Sequence, residues 1–196
     1  MPKRVIIVHG WGGSPEADWY HWLEDQLEGD ELTVEIPVMP HPDKPRINEW
    51  VTTLKNVVGK PDNDMYLVGH SIGCQTILRY LETLPAKTVF GGAVFVAGWL
   101  HLSKTVTDSD TEGPIAKPWL DAPIDVEKAR SHLAHSVAIF SDNDPYVPLK
   151  QNAVAFKRFG CDIVIEKHQG HFNEETDVTE APAVYRALIH LINRKR

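Results

Sequence analysis

Short apolar runs of strand length alternate with helix-length segments along most of this chain. This alternation predicts an α/β fold, because parallel strands of one sheet must be joined by crossovers that are usually helices. The central runs are nearly continuous in Val, Ile and Leu, which is typical of strands buried on both faces of a parallel sheet. We predict six mostly parallel strands at Arg4–Val8, Leu32–Ile36, Met65–Gly69, Ala93–Ala97, Val137–Phe140 and Asp162–Glu166.

The segments between these runs space their apolar residues as amphipathic helices do. Because the crossovers between parallel strands are right-handed, we expect helices on both faces of the sheet. The predicted helices are Ala17–Glu28, Ile47–Val58, Ile72–Thr83, Val126–Leu133, Leu149–Phe159 and Ala181–Asn193.

One segment, Gly98–Pro123, departs from this pattern. It is polar, contains three prolines and has no periodic apolar face, so we predict a loop or a small cap there. The length of 196 residues is typical of one domain, and too little chain follows this segment to build a second core of normal size. We therefore predict a single domain over residues 1–196.

The bulk charge argues against nucleic acid and membranes as partners. The formal net charge of -7 would repel a phosphate backbone or an anionic lipid surface. The first apolar run, Val5–Val8, is too short for a signal-peptide core or a membrane span, so a cytoplasmic location is expected. Cys74 and Cys161 are expected to be reduced core residues rather than a disulfide. No metal or other cofactor is implied.

The pentapeptide Gly-His-Ser-Ile-Gly at residues 69–73 matches the pattern G-x-S-x-G. It lies between the predicted strand Met65–Gly69 and the predicted helix Ile72–Thr83. A sharp strand-to-helix turn at this point exposes a serine hydroxyl, and the glycines remove Cβ atoms that would clash within the turn. Ser71 is therefore predicted to be a nucleophile.

A serine hydroxyl needs a base to take its proton, and the base needs a carboxylate to fix its tautomer. For the base we favour His171, which lies in a glycine-containing loop after the last predicted strand, over its local rival His168. For the acid, Asp142 and Asp144 both lie in the loop after Val137–Phe140, and both fit. The simpler interpretation of that loop is a turn rich in Asp, Asn and Pro.

Backbone amides must also stabilise the oxyanion that develops during acyl transfer. The amide of Ile72, directly after the nucleophile, is one candidate. The glycine-rich loop at residues 9–14 is expected to supply another, with Trp11 favoured by its position. This loop lacks the glycine spacing of phosphate-binding loops. Trp99, close after a predicted strand, is expected either to wall the substrate pocket or to pack in the core.

With these motifs the chain resembles the small α/β hydrolases related to retinoblastoma-binding protein 9 and the YdeN-like proteins. The resemblance extends over the whole length. It rests on Val5–Trp11, Trp19, Trp22, Leu67–Cys74 and Gly170–Phe172.

This resemblance implies a compact α/β-hydrolase fold with a minimal cap and a serine hydrolase triad of Ser71, Asp144 and His171. The segment ending in Val147-Pro148 resembles the acid loop of α/β hydrolases, which favours Asp144. Asp142 is then expected to cap or brace that loop.

The predicted activity is carboxylesterase-like hydrolysis of small or medium acyl esters or thioesters through an acyl-enzyme intermediate. The small acyl substrate is the expected partner. Three alternatives stay open. One is amide or peptide hydrolysis on the same triad. Another is carbon–carbon bond hydrolysis or a lyase reaction on that triad. The third is a protein-binding module on a catalytically silent hydrolase scaffold, because the family name itself hints at a protein partner.

Overall fold

Six parallel strands form one sheet in the computed structural model, which describes residues 2–27, 29 and 32–194. The strands are β1 (Lys3–Val8), β2 (Leu32–Glu35), β3 (Met65–His70), β4 (Gly92–Val96), β5 (Ser136–Ser141) and β6 (Asp162–Glu166). Their order across the sheet is β2-β1-β3-β4-β5-β6, and each neighbouring pair is parallel. The predicted α/β class is therefore confirmed.

Helices cover both faces of this sheet. They are α1 (Tyr20–Leu27), α2 (Ile47–Val58), α3 (Ile72–Leu81), α4 (Lys104–Thr107), α5 (Gly113–Asp121), α6 (Val126–Ser131), α7 (Leu149–Phe159) and α8 (Pro182–Asn193). A short 3-10 helix spans Glu174–Thr176. None of the helices in the described ranges combines the length and hydrophobicity needed to cross a bilayer.

The start of α1 differs from its predicted position. This helix begins at Tyr20 rather than at Ala17, because Asp18 has a φ of 58°, a left-handed conformation that cannot continue an α-helix. The predicted end of the same helix, Glu28, lies outside the described residues. The other predicted helix and strand ends differ by two residues or fewer, which is ordinary variation at frayed ends.

Apolar side chains fill the space between the sheet and its two helical layers. On one face, Trp50 of α2, Ile77 of α3 and Phe156 of α7 pack against the strands. On the other face, Leu23 of α1 and Leu188 of α8 do so. All five side chains are buried, and each contributes about 1.5–3 kcal/mol to folding through burial. The central strands β3 and β4 are buried along their whole length, which explains their continuous apolar sequences.

Residues 98–123, predicted to be a loop or a small cap, contain the short helices α4 and α5. α5 forms although Pro118 within it lacks the N–H that a helix interior uses. The side chain of Trp119 is buried and donates its indole N–H to the carbonyl oxygen of Pro45 at 3.0 Å. The guanidinium of Arg79 donates to two carbonyl oxygens at the end of α5, each at 2.8 Å. These tertiary contacts outweigh the poor helix propensity.

The carboxyl ends of the parallel strands lie along one edge of the sheet, where three loops converge. Ser71 follows β3 directly, and the loops that carry Asp144 and His171 follow β5 and β6. β5 and β6 are paired with Ser141 opposite Glu166. The two loops therefore leave the sheet side by side.

Candidate active site

The nucleophile turn, residues 69–73, connects β3 to α3. Ser71 has a φ of 52° and a ψ of -117°, a backbone conformation that costs a non-glycine residue about 1–3 kcal/mol. The turn is held by a hydrogen bond from the amide of Ser71 to the carbonyl oxygen of Val96 at 2.9 Å. A Cβ atom at Gly73 would overlap the carbonyl oxygen of Val8. Glycine at this position therefore allows α3 to start against β1.

The side chains of Ser71, His171 and Asp144 form a continuous chain of hydrogen bonds. The Oγ of Ser71 lies 2.9 Å from Nε2 of His171, and Nδ1 of His171 lies 2.8 Å from Oδ2 of Asp144. The carboxylate can only accept on this bond, so Nδ1 carries the proton and Nε2 is free to accept a proton from Ser71. This is the arrangement that a serine nucleophile, its base and an orienting acid require.

The carboxylate of Asp144 is fixed from its other side. Its Oδ1 accepts hydrogen bonds from the backbone amides of Tyr146 and Val147 at 2.8 and 3.0 Å, and its side chain is only 2% exposed. Asp144 is thus held in one rotamer as the partner of His171.

The rival candidates, His168 and Asp142, take no part in the hydrogen bonds between Ser71, His171 and Asp144. Both are exposed, and the backbone amide of His168 donates to Oδ1 of Asp142 at 2.8 Å. We call residues 167–173 the histidine loop and residues 142–148 the acid loop. The side chain of Asp142 therefore joins the acid loop to the histidine loop.

Two further braces join these loops, and the sequence reasoning did not identify them. The amide of Gln169 donates to Oγ of Ser141 at 3.0 Å, and the amide of Gly170 donates to Oδ1 of Asn143 at 2.8 Å. Three successive amides of the histidine loop thus bind three successive side chains at the end of β5. The polar residues 141–144 are visible in the sequence, but a run of turn-forming residues does not reveal which other loop it binds.

The loop predicted to bind the oxyanion, residues 9–14, is called the oxyanion loop. It lies beside the nucleophile turn, since a Cβ atom at Gly10 would lie 3.3 Å from Nδ1 of His70. Its later amides are already used, since Gly12 donates to the carbonyl oxygen of Pro42 at 2.9 Å and Gly13 donates to that of Gly10 at 3.2 Å. Within the described part of the chain, the amides of Trp11 and Ile72 donate to no carbonyl oxygen. Both remain available for the oxygen of a bound substrate, as an oxyanion hole requires.

A cavity of about 710 Å³ opens onto Ser71 and His171, within the usual size range of small-molecule sites. One wall is apolar, and Trp99 belongs to it although it is only 1% exposed. The ring of Tyr146 on this wall packs edge-on against the ring of His171, with 5.2 Å between the two ring centroids. The residues of the apolar wall are Trp99, Leu102, Val106, Ile115 and Tyr146.

Acidic side chains also line the cavity. Five carboxyl side chains line it against one lysine, Lys44. Burial, followed by the charges of Glu175 and Glu112, raises the pKa of Tyr146, whose ring contacts that of His171. We call these five residues the acidic rim: Asp18, Asp43, Glu112, Glu174 and Glu175.

The two cysteines are free, buried thiols. Burial raises the pKa of Cys74 well above its ordinary value and that of Cys161 to about 12. Both are therefore protonated at neutral pH, and only the thiolate form of cysteine is a good nucleophile. Neither thiol competes with Ser71.

Comparison with known proteins gives one family. YdeN of Bacillus subtilis is 30% identical over 197 residues, covering 100% of this chain and 99% of YdeN. The YdeN crystal structure matches with a TM-score of 0.89 at 29% identity, over 98% of this chain and 100% of that one. Serine hydrolase RBBP9 of Rattus norvegicus is 24% identical over 193 residues, 96% of each chain. These matches confirm the resemblance noted from the sequence motifs.

More distant structures share the fold. The carboxylesterase CesB of Bacillus subtilis matches with a TM-score of 0.65 at 14% identity, over 98% of this chain and 84% of CesB. A family model described as serine hydrolase matches residues 5–190. Because this match spans nearly the whole chain and includes Ser71, Asp144 and His171, the chain belongs to the serine hydrolase family.

Proposed function

We propose that this protein hydrolyses esters of small or medium acyl groups, with Ser71 as nucleophile, His171 as general base and Asp144 as the acid that orients it. The observation that carries the proposal is the unbroken chain of hydrogen bonds from Ser71 Oγ through His171 to Asp144, at 2.9 and 2.8 Å. Ser71 and His171 line a cavity that is large enough for a small ligand.

The proposed reaction has two halves. Nε2 of His171 takes the hydroxyl proton of Ser71 while Oγ attacks the carbonyl carbon, and the amides of Trp11 and Ile72 bind the resulting oxyanion. His171 then gives its proton to the leaving alcohol, and an acyl-enzyme remains on Ser71. Water, deprotonated by His171, attacks the acyl carbon, and collapse of the second tetrahedral intermediate releases the acid and restores the Ser71 hydroxyl.

The lining of the cavity suits an ester with an apolar acyl group and an uncharged or cationic leaving group. Trp99, Leu102 and Ile115 offer an apolar surface beside Ser71. The acidic rim would repel a leaving group that carries phosphates. Among acyl esters and thioesters, we therefore favour neutral esters over thioesters of phosphorylated carriers. Esters are also favoured over amides, because an alcohol leaves more readily than an amine.

Labelling with a fluorophosphonate probe, combined with hydrolysis of p-nitrophenyl esters of increasing chain length, tests the proposal. We expect the wild type to be labelled and to cleave short esters, and Ser71→Ala to do neither. Ser131→Ala is the matched control, because Ser131 is an exposed serine on α6, far from the triad in the fold. This variant should behave as the wild type.

Two results would contradict the proposal. A folded wild type that is not labelled would mean that the triad is silent, and the protein-binding interpretation would replace hydrolysis. Cleavage of aminoacyl amides without cleavage of short esters would replace esterase activity by amidase activity.

A further inference from the structure

The hydroxyl of Tyr20, at the start of α1, contacts three different parts of the site. Tyr20 is fully buried. Its oxygen accepts a hydrogen bond from the amide of Gly10 in the oxyanion loop at 3.1 Å. The same oxygen lies 2.7 Å from Nδ1 of His70 and 3.0 Å from Oδ2 of Asp18. One phenol group thus joins the oxyanion loop, the nucleophile turn and the cavity wall.

His70 extends this network to the histidine loop. It directly precedes Ser71, and its side chain is only 2% exposed. Its Nε2 lies 2.8 Å from the backbone carbonyl oxygen of His171. Because a carbonyl oxygen can only accept, Nε2 carries a proton in this contact. The backbone of the proposed general base is therefore tied to the residue beside the nucleophile.

The proton count of the network allows two arrangements. The amide of Gly10 can only donate to Tyr20, so the single hydroxyl proton of Tyr20 goes either to Nδ1 of His70 or to Asp18. If it goes to Asp18, Nδ1 must carry a proton of its own to bond the Tyr20 oxygen, and His70 with both ring nitrogens protonated is then an imidazolium cation. In both arrangements the bonds to Gly10 and His171 persist, which keeps the three loops joined.

Asp18 is suited to its place at the end of this network. Burial raises the pKa of its carboxyl group, but the hydrogen bond and charge of His70 and the amide of Glu174 outweigh burial, so the pKa lies below its ordinary value. The amide of Glu174 donates to Oδ1 of Asp18 at 3.0 Å, and the amide of Asp18 donates to Oε1 of Glu174 at 3.1 Å. The reciprocal pair fixes Asp18 next to Tyr20.

We propose that Tyr20 and His70 act together as positioning residues that hold the oxyanion loop and the histidine loop at fixed distances from Ser71. Neither is expected to exchange a proton with substrate. This inference rests on the proposed function for its kinetic readout, since the loops it holds carry the proposed oxyanion donor Trp11 and the base His171. Misplacement of such groups by an ångström reduces rate strongly.

Replacement of the hydroxyl group tests the inference kinetically. We expect Tyr20→Phe to lower kcat by about 10- to 100-fold, with KM changed by less than about threefold, because positioning acts mainly in the transition state. The matched control is Tyr80→Phe, which removes the hydroxyl of another buried tyrosine, on α3. This control should keep the wild-type kcat. Rates are normalised to active sites titrated with a fluorophosphonate, so that loss of folded protein does not imitate the effect.

A double-mutant cycle tests whether the two residues act as one unit. His70→Gln keeps an amide donor for the His171 carbonyl but removes the ring nitrogen that faces Tyr20. If the pair acts jointly, the double variant is hardly slower than the slower single variant. Effects on kcat that simply multiply, or a Tyr20→Phe variant with wild-type kcat, would overturn the inference.

A readout without activity separates this inference from the proposed function. Hydrogen exchange by NMR should show that the amide of Gly10 exchanges at least about tenfold faster in Tyr20→Phe, but not in Tyr80→Phe, because it loses its acceptor. An unchanged Gly10 amide would overturn the inference even in an active enzyme. If the Gly10 amide exchanges faster in Tyr20→Phe but the wild-type protein cleaves no ester, only the proposed function is refuted.

Discussion

At the scale of single residues, the proposed nucleophile and acid are oriented mainly by hydrogen bonds with backbone groups. Asp144 accepts two amides of its own loop, and Ser71 is held in a strained conformation by a bond to β4. Such fixed groups need little rearrangement when charge develops during reaction, which is the main source of electrostatic catalysis. Each side chain can therefore be tested by a change that keeps its shape.

The two neighbouring aspartates should differ sharply in their effects on rate. Asp144→Asn leaves an amide beside Nδ1 of His171, which favours the wrong tautomer of the imidazole. We expect kcat to fall by about 10⁴-fold, as a comparable change does in a serine protease. Asp142→Asn keeps an oxygen for the amide of His168 and should lower kcat less than about threefold. Equal losses in kcat for both variants would contradict the assignment of the acid.

His9 makes stability depend on pH. Burial lowers its pKa from the ordinary value of 6.5, although the bond to Gly10 acts in the opposite direction. Its Nε2 accepts a hydrogen bond from the amide of Met39 at 3.2 Å, so the folded protein favours the neutral form of the His9 imidazole. Below about pH 6.5 the unfolded chain takes up a proton that the folded chain resists. The free energy of unfolding therefore decreases as the pH falls from 6.5 towards the lower pKa of the folded state.

We expect His9→Gln to remove this contribution, because glutamine offers an acceptor for Met39 without titrating. In thermal melts between about pH 7.5 and about pH 5, the Tm of the variant should decrease less than the Tm of the wild type. Exposed His190→Gln, on α8, is the control and should follow the wild type. Parallel Tm curves for wild type and His9→Gln would refute the assignment.

At the scale of elements, the sequence pattern located the elements whose apolar residues are regularly spaced and failed where contacts decide. The bounds of α2, α7 and β6 agree with the predicted ones, and in α2 the buried residues Trp50, Leu54 and Val58 recur at helical spacing. The helices α4 and α5 were not separable from a loop. α4 has only four residues, and α5 is held by contacts with Arg79 and Pro45 that a local pattern does not contain.

The site shows the same division between local and long-range information. Ser71 has a local motif, and His171 has a characteristic place after the last strand. Asp142 and Asp144 lie in one turn, and only contacts with another loop distinguish them. The link from Tyr20 to His70 depends on where α1 begins, which the left-handed residue Asp18 determines.

The junction between β1 and α3 gives a prediction at this scale. A methyl group at Gly73 would meet the carbonyl group of Val8, and neither backbone can move without disturbing the sheet. We expect Gly73→Ala to lower Tm by about 5–10 °C, the effect of overpacking by a few kcal/mol in a protein of this size. Gly29→Ala is the control, because a methyl group there would meet nothing within 4 Å among the residues that the structure describes. A Tm for Gly73→Ala within about 1 °C of wild type would be inconsistent with this packing.

At the scale of the whole molecule, part of the negative charge lies around the cavity that opens onto Ser71. The formal net charge is -7, and the acidic rim places five carboxyl groups around the cavity against one lysine. A field of this sign attracts cations and repels anions over roughly one Debye length, about 10 Å in 0.1 M salt. Charge on the leaving group should therefore affect the rate of capture.

Two esters of one acid test this field, one with a trimethylammonium leaving group and the other with its uncharged tert-butyl isostere. We expect kcat/KM to favour the cation by about 3- to 10-fold at low salt, and the ratio to approach one in 0.5 M salt. Glu175→Gln should reduce the ratio, whereas Glu127→Gln, an exposed acid on α6, should not. A ratio independent of salt would exclude steering by the rim.

The hydrogen bond between Ser71 and His171 joins positions 100 residues apart. During synthesis a ribosome must therefore extend the chain beyond the histidine loop before the triad can assemble, and β5 and β6 must have joined the sheet. Contacts of such long range form slowly compared with local ones. The proposed hydrolysis of esters therefore cannot begin until the last strand has docked beside β5.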